Sequence, residues 1–240
     1  MGRLFAAALV AGAISASVST AQATTVGIDF GCATSLSGIN SCNSSDAPLQ
    51  DGYLGWAGPY GGNPGEDYDV TRSFTAGFGD SGTFDLTVTS DGLFFRDYAA
   101  VGGTYASQSA LLSDSMLRNQ PGSIVFTFSG LTAGTYSMES FHHDTYTNSS
   151  ATVLFDAMVE DASGTRTVAS GANNSFGTSP TSITALLYAL TVGADGTATV
   201  TFSTSNAALG EHMSINGFQL TDVAPVPLPA GVWLLLSALG

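Results

Sequence analysis

The sequence predicts an all-β fold, a single β-sandwich or jelly roll with one short helix. Three observations carry that expectation. Apolar and polar residues alternate in one segment after another, the pattern of strands with one buried face. Gly-bearing turns separate these segments at roughly ten-residue spacing, as in sandwiches. The 240 residues include 29 Gly and no Lys, and only 10% are charged. Ser, Thr, Gly and Asn supply the polar surface instead, which suits strands and turns better than exposed helices.

The segments follow in chain order. Ile28-Asp29-Phe30-Gly31 opens the domain as a first strand. Phe84, Leu86 and Val88 alternate with Asp85, Thr87 and Thr89. Ile124 to Ser129 is an apolar-aromatic run; Gly130-Leu131-Thr132-Ala133-Gly134 turns it, and Thr135 to Phe141 returns. Val153, Phe155, Ala157 and Val159 share a face. Leu186 to Val192, the turn Ala194-Asp195-Gly196, and Ala198, Val200 and Phe202 give two more strands, and Met213 to Thr221 closes the domain. The one helical pattern is Ala110 to Arg118, where Leu111, Leu112, Ser115 and Met116 fall on one face.

Both ends read as addresses. Arg3 precedes a short apolar run, Leu4 to Ile14, and the small-x-small site Ala21-Gln22-Ala23 follows. This is the pattern of a cleavable secretory signal peptide over residues 1–23, and the run is too short to span a bilayer. The folded domain is expected over 24–222. Residues 223–240 then bring closely spaced prolines and an apolar stretch, Val226-Pro227-Leu228-Pro229-Ala230 followed by Trp233 and Leu234-Leu235-Leu236. This tail resembles the VPLPA-type PEP-CTERM sorting signals. The resemblance implies export across the inner membrane, transient membrane association through the tail, and processing by an exosortase-type transpeptidase. It also implies a cell-surface or extracellular location linked to exopolysaccharide. The sequence departs from that family in having about eleven apolar residues after Pro229, against the roughly twenty of a spanning helix, and no basic cluster. The expectation is a truncated tail.

Cys32 and Cys42 are the two cysteines. In an exported protein such a pair reads as a disulfide, here closing a Ser/Gly/Asn-rich loop. The formal net charge of −14 excludes an electrostatic footprint for nucleic acid and favours cations such as calcium.

The later segments, with Gly130-Leu131-Thr132-Ala133-Gly134-Thr135-Tyr136 and the final Ser214-Ile215-Asn216-Gly217-Phe218-Gln219-Leu220, are similar to galactose-binding-like sandwiches, the architecture of malectin-like and carbohydrate-binding modules. That resemblance covers about Leu93 to Thr221 and implies a non-catalytic glycan-binding function. It also implies a structural calcium ion between first and last strands, for which Asp29 and Asp222 are the candidates by position.

Two clusters mix aromatic and polar groups as a sugar site requires. One holds Tyr53, Trp56, Tyr60, Asn63, Glu66, Asp67, Tyr68 and Asp69 in a Gly/Pro-rich stretch. Trp56 and Tyr60 are its expected contacts, unless they pack down and hold a long loop. The other is His142, His143, Asp144 and Tyr146, of which His143, Asp144 and Tyr146 are the expected contacts. Neighbouring strand residues point to opposite faces, so His142 and His143 are not expected to chelate one ion. No hydrolase, metalloprotease or phosphate-loop motif is present. Glu139, Asp144, Asp156 and Glu160 offer a glycosidase reading its carboxylate pair, whose separation sequence does not give. Three functions follow in order of preference: a glycan-binding module, a structural surface or matrix protein without a small ligand, and a polysaccharide-degrading enzyme.

Overall fold

The described strands form three sheets, two of six strands and one of three. The computed structural model describes residues 23–32, 49–58, 67–75, 82–97, 100–118, 121–145, 153–204 and 212–223. The segments expected as signal peptide and sorting tail, apart from Ala23 and Val223, lie outside them, as does Cys42.

In chain order the strands are β1 (Thr25–Cys32), β2 (Tyr53–Gly58), β3 (Tyr68–Thr75), β4 (Thr83–Ser90), β5 (Phe94–Asp97), β6 (Asp114–Arg118), β7 (Gly122–Ser129), β8 (Gly134–Asp144), β9 (Leu154–Asp161), β10 (Gly164–Asn173), β11 (Ser175–Phe176), β12 (Thr184–Val192), β13 (Ala198–Thr204), β14 (Met213–Ile215) and β15 (Gly217–Asp222). A 3-10 segment, Gly103–Gln108, leads into the five-residue helix α1, Ser109–Ser113.

The first sheet runs β11-β8-β15-β1-β2, with β12 also paired to β8; the second runs β10-β9-β13-β7-β4-β3; and β14-β6-β5 make a small third sheet. Alternation dictates which side chains meet between the two large sheets. From the first come Ile28, Phe30, Trp56, Tyr136, Met138, Phe218 and Leu220; from the second come Phe84, Leu86, Val88, Phe126, Phe128, Val159, Val200 and Phe202, all buried. Phe126 marks the centre, with its ring centroid 5.3 Å from Phe30 and 5.9 Å from Phe218. Offset and edge-on rings at such spacings add to area burial.

Two expectations change. The helix expected over Ala110 to Arg118 ends at Ser113, because Asp114 turns extended (φ −118°, ψ 158°) and the chain continues as β6. All five β6 residues are buried, so Met116 and Leu117 satisfy apolar contacts on both faces of a strand between β5 and β14. The segment between the first and second sequence-predicted strands, read as loop, contains β2 and β3.

Candidate functional site

Trp56 is not a surface aromatic. It pairs in register with Phe30 across the parallel β1–β2 ladder and is fully buried. Its Nε1–H donates to the Tyr68 hydroxyl (3.2 Å), its ring stacks on Phe74 at 6.0 Å, and the Arg72 guanidinium lies 5.1 Å from the ring centroid. It therefore offers no face to a sugar and holds the loop end of the sandwich together. Tyr60 lies outside the described residues.

The second cluster also faces inward. His142 and His143 are both 0% exposed and sit on opposite faces of β8. The His142 ring packs 4.6 Å from Phe155 and 5.2 Å from Phe202. Its Nδ1 meets the Ser214 carbonyl and its Nε2 the Ser140 hydroxyl, both at 2.9 Å. A carbonyl only accepts, so Nδ1 carries the proton and Nε2 accepts. Burial pushes its pKa down to about 4. His143 Nε2–H donates to the Gly177 carbonyl and Nδ1 pairs with Ser175 Oγ, each at 2.9 Å, and burial lowers its pKa also. Both imidazoles are saturated and neither has a lone pair for a metal or a face for a ligand. Asp144 is 4% exposed. His143 and Asp144 are therefore framework residues; Tyr146 is outside the described part.

The pairing of Asp29 with Asp222 also fails. Asp29 stands opposite Gly217 in the β1–β15 ladder, whereas the Asp222 N–H donates to the Thr24 carbonyl beyond the other end of β1. Five residues of strand separate them, about 17 Å, too far for one ion.

Asp67, Tyr68 and Asp69 line an open trough of about 430 Å³ with Thr89, Asp91 and Ser123. Tyr68 is 9% exposed and its hydroxyl is tied to Trp56, so the trough has carboxylates and hydroxyls but no aromatic floor. The outer face of the second sheet has the same character. Thr71, Thr87, Thr127 and Thr199 stand in one register row, and no aromatic side chain points outward from its described strands.

An aromatic floor exists on the outer face of the first sheet. Register places Leu187, Glu139, Gln219, Gly27 and Tyr53 in one row across β12, β8, β15, β1 and β2. The half-buried Tyr53 ring lies on Gly27: a Cβ there would stand 2.6–2.8 Å from three of its ring carbons. Gln219 Nε2–H donates to the Tyr53 hydroxyl at 2.7 Å, which holds the ring in place. Burial, with the Glu139 and Asp29 carboxylates nearby, pushes the Tyr53 pKa up to about 12. One side is walled by Val101, Leu111, Leu112 and Phe141, against which Tyr53 and Tyr105 pack. An aromatic surface beside an amide and a carboxylate offers a sugar both C–H contact and hydroxyl partners. Glu139 and Gln219 alternate with the buried Met138 and Leu220 along their strands, and Tyr53 joins them only through the parallel β1–β2 register, which the sequence does not show.

No family model and no curated protein sequence matches this chain. Solved structures give distant likenesses. A family 35 carbohydrate binding module from Clostridium thermocellum is 11% identical, covering 65% of this chain and 95% of that one, with a TM-score of 0.34. The CBM22-1 xylan-binding domain of Paenibacillus barcinonensis Xyn10C is 12% identical, covering 69% and 100%, with a TM-score of 0.36. The ANXUR2 extracellular domain of Arabidopsis thaliana is 12% identical, covering 61% and 51%, with a TM-score of 0.37. Likenesses this remote carry no argument about ligand; the sandwich stands on its own strands and the site on its own side chains.

Proposed function

We propose that this chain is an exported, non-catalytic glycan-binding β-sandwich, sorted through its C-terminal tail and associated with exopolysaccharide at the cell surface or in the surrounding matrix. The observation that carries this reading is the Tyr53 ring, laid on Gly27, tied by Gln219 and flanked by Glu139 on an open sheet face. Tyr60 and Tyr146 keep their place as further candidate contacts, and a Cys32–Cys42 disulfide as a brace after β1. Binding through such a surface needs no bond-making group: the ring covers the apolar face of a pyranose, and Gln219 and Glu139 orient its hydroxyls.

Affinity electrophoresis of the full chain through gels containing neutral, acidic and amino-sugar polymers tests this. Wild type should be retarded by one polymer class. Tyr53→Ala should lose most of that retardation while keeping its thermal midpoint within a few degrees. Trp56→Ala should instead unfold the domain, since truncating a buried aromatic costs about 3–5 kcal/mol. Free migration of folded wild type through every polymer, or full retardation of Tyr53→Ala, would remove the proposal.

A further inference from the structure

We infer, resting on the glycan reading above, that the ligand of the Tyr53 face is an amino-sugar polymer. It is bound along an internal stretch that lies across the strands, with Glu139 receiving an ammonium group of the chain.

The row on which it would lie is long. Leu187, Glu139, Gln219, Gly27 and Tyr53 stand on five successive strands. Four interstrand steps cover about 19 Å, more than one sugar ring and suited to a short run of linked rings. The features come in a fixed order. The Tyr53 ring lies over Gly27 of β1, Gln219 follows on β15, Glu139 on β8, and Leu187, 71% exposed, on β12. Glu139 is two strand steps from Gly27, about 10 Å. A pyranose stacked on the Tyr53 ring therefore leaves Glu139 to the next ring of the chain.

The row is also shaped for a chain that passes through. β12 and β2 are the outer strands at this level, and no described strand closes either end. On one side α1 rises over the sheet: Leu111 Cδ1 stands 2.7 Å from where a Cβ of residue 217 would be. On the other side the next row is low, made of Ala189, Ser137, Thr221 and Thr25, the last two joined through their hydroxyls at 2.9 Å. A ledge with one wall, and no strand across its ends, admits the interior of a polymer and does not require its terminus.

Charge decides the class of polymer. The half-buried Glu139 carboxylate has no cation and no hydrogen-bond donor among the described residues. The sequence holds no Lys, and its three histidines are buried. Arg118 pairs with Asp91 and Arg72 lies over Trp56; the side chain of Arg96 is outside the described set. Arg166 reaches the edge of this sheet, but Asp161 at 2.9 Å and the Ala189 carbonyl hold it there. The face is thus negative, on a chain of formal net charge −14. It repels uronate and sulfate groups and draws a polycation. Beside an apolar ring and wall, a carboxylate–ammonium contact is screened less than on open surface, so Glu139 separates an amine from a hydroxyl at the same sugar carbon.

The test is isothermal titration of the full chain at pH 6 with glucosamine oligomers of one to six units, in β-1,4 and β-1,6 linkage. Each is compared with the glucose and N-acetylglucosamine oligomers of the same length and linkage, which differ from it at one carbon of each ring. Glucosamine oligomers should bind about ten-fold tighter than glucose oligomers. Affinity should rise up to about four units, and the ten-fold margin should vanish in high salt. The N-acetylated series should bind as the glucose series does. Glu139→Gln should abolish the margin and keep binding of the glucose series, whereas Tyr53→Ala should weaken all three. Glu160→Gln removes the same charge from an exposed position of the second sheet and should keep the margin. Should Glu139→Gln fail to fold, the wild-type margin and its salt dependence still decide. Equal binding of glucosamine and glucose oligomers by wild type, a margin that survives Glu139→Gln, or one lost in Glu160→Gln would overturn the inference and leave the glycan reading in place. Full affinity at one unit would overturn the internal stretch. Binding of none of the three series, with retardation by another polymer in the gels, overturns the inference alone; free migration in every gel as well removes both.

Discussion

Gly27 is the smallest residue in the open row of the first sheet, and its size is what lets Tyr53 lie there. A methyl group at this position would stand 2.6 Å from Tyr53 Cδ1, closer than non-bonded carbons come, so Gly27→Ala must lift the ring and break its bond to Gln219. The expected result is a loss of about 1–2 kcal/mol from overpacking, read as a lower urea midpoint, together with loss of glycan retardation. Unchanged retardation would separate the ring from the ligand. Single residues also show what a sequence conceals. That Trp56 belongs with Tyr68 was legible, and its packing down to hold a long loop was one of the two readings; which of the two holds was not fixed. Nothing in Tyr53-Leu54-Gly55-Trp56 alternates clearly enough to name a face, and the direction is set by the partner strand, where Phe30 stands opposite. The opposite facing of His142 and His143 was legible, because two adjacent residues of one strand have no other choice.

At the scale of elements, Asn216 does more than mark a turn. Read as the Asn of an Asn-Gly pair, it sits in the structure at the junction of β14 and β15 and joins four other elements, β1, α1, β6 and β8. Its N–H donates to the Phe141 carbonyl and its carbonyl accepts the Phe30 N–H, both at 2.9 Å. Its Oδ1 accepts the His143 N–H at 2.6 Å, and its Nδ2 reaches the Asp114 and Leu112 carbonyls. Asn216→Ala would leave a buried N–H and two buried carbonyls short of partners. Each costs about 1–3 kcal/mol when unmet, so the urea midpoint should fall by the equivalent of about 3 kcal/mol or more, with the slope unchanged. A loss below 1 kcal/mol would mean that water replaces the amide. The strands whose inner positions are aromatic or branched were all legible, β4, β9 and β13 from alternation and β7 as an apolar-aromatic run. β10 was not: Gly164-Thr165-Arg166-Thr167 is polar on both faces, and it becomes a strand only because β9 offers an edge to pair with. β6 failed for the opposite reason, being apolar enough on both faces to imitate a helix.

The whole molecule carries a formal charge of −14 and a pI near 4.1, so acid brings it toward neutrality and relieves its self-repulsion. Charge alone would make it more stable on mild acidification. The buried histidines oppose that. His142 has a folded pKa of about 4, from burial among Phe155 and Phe202, against the ordinary 6.5 of the unfolded chain. Above pH 6.5 both states hold it neutral and its contribution is fully present. Between 6.5 and 4 the unfolded chain takes up the proton and the folded one resists, so stability is lost as pH falls through that window. The loss approaches ~3 kcal/mol near pH 4, an order-of-magnitude conversion of that shift. His143 acts in the same direction, and the buried Asp29 in the opposite one, its pKa being raised by burial to about 6. The bare pH profile of wild type therefore mixes these effects. Comparison with His142→Gln isolates one: glutamine keeps a donor and an acceptor near Ser214 and Ser140 but cannot titrate. Stability measured by urea unfolding from pH 7.5 to 4 should give a wild-type-minus-variant difference that favours wild type at neutral pH and shrinks or reverses toward pH 4. A difference that stays level across the range would show that His142 does not resist protonation in the folded protein, and the sealed core between Phe155 and Phe202 would have to be open to water.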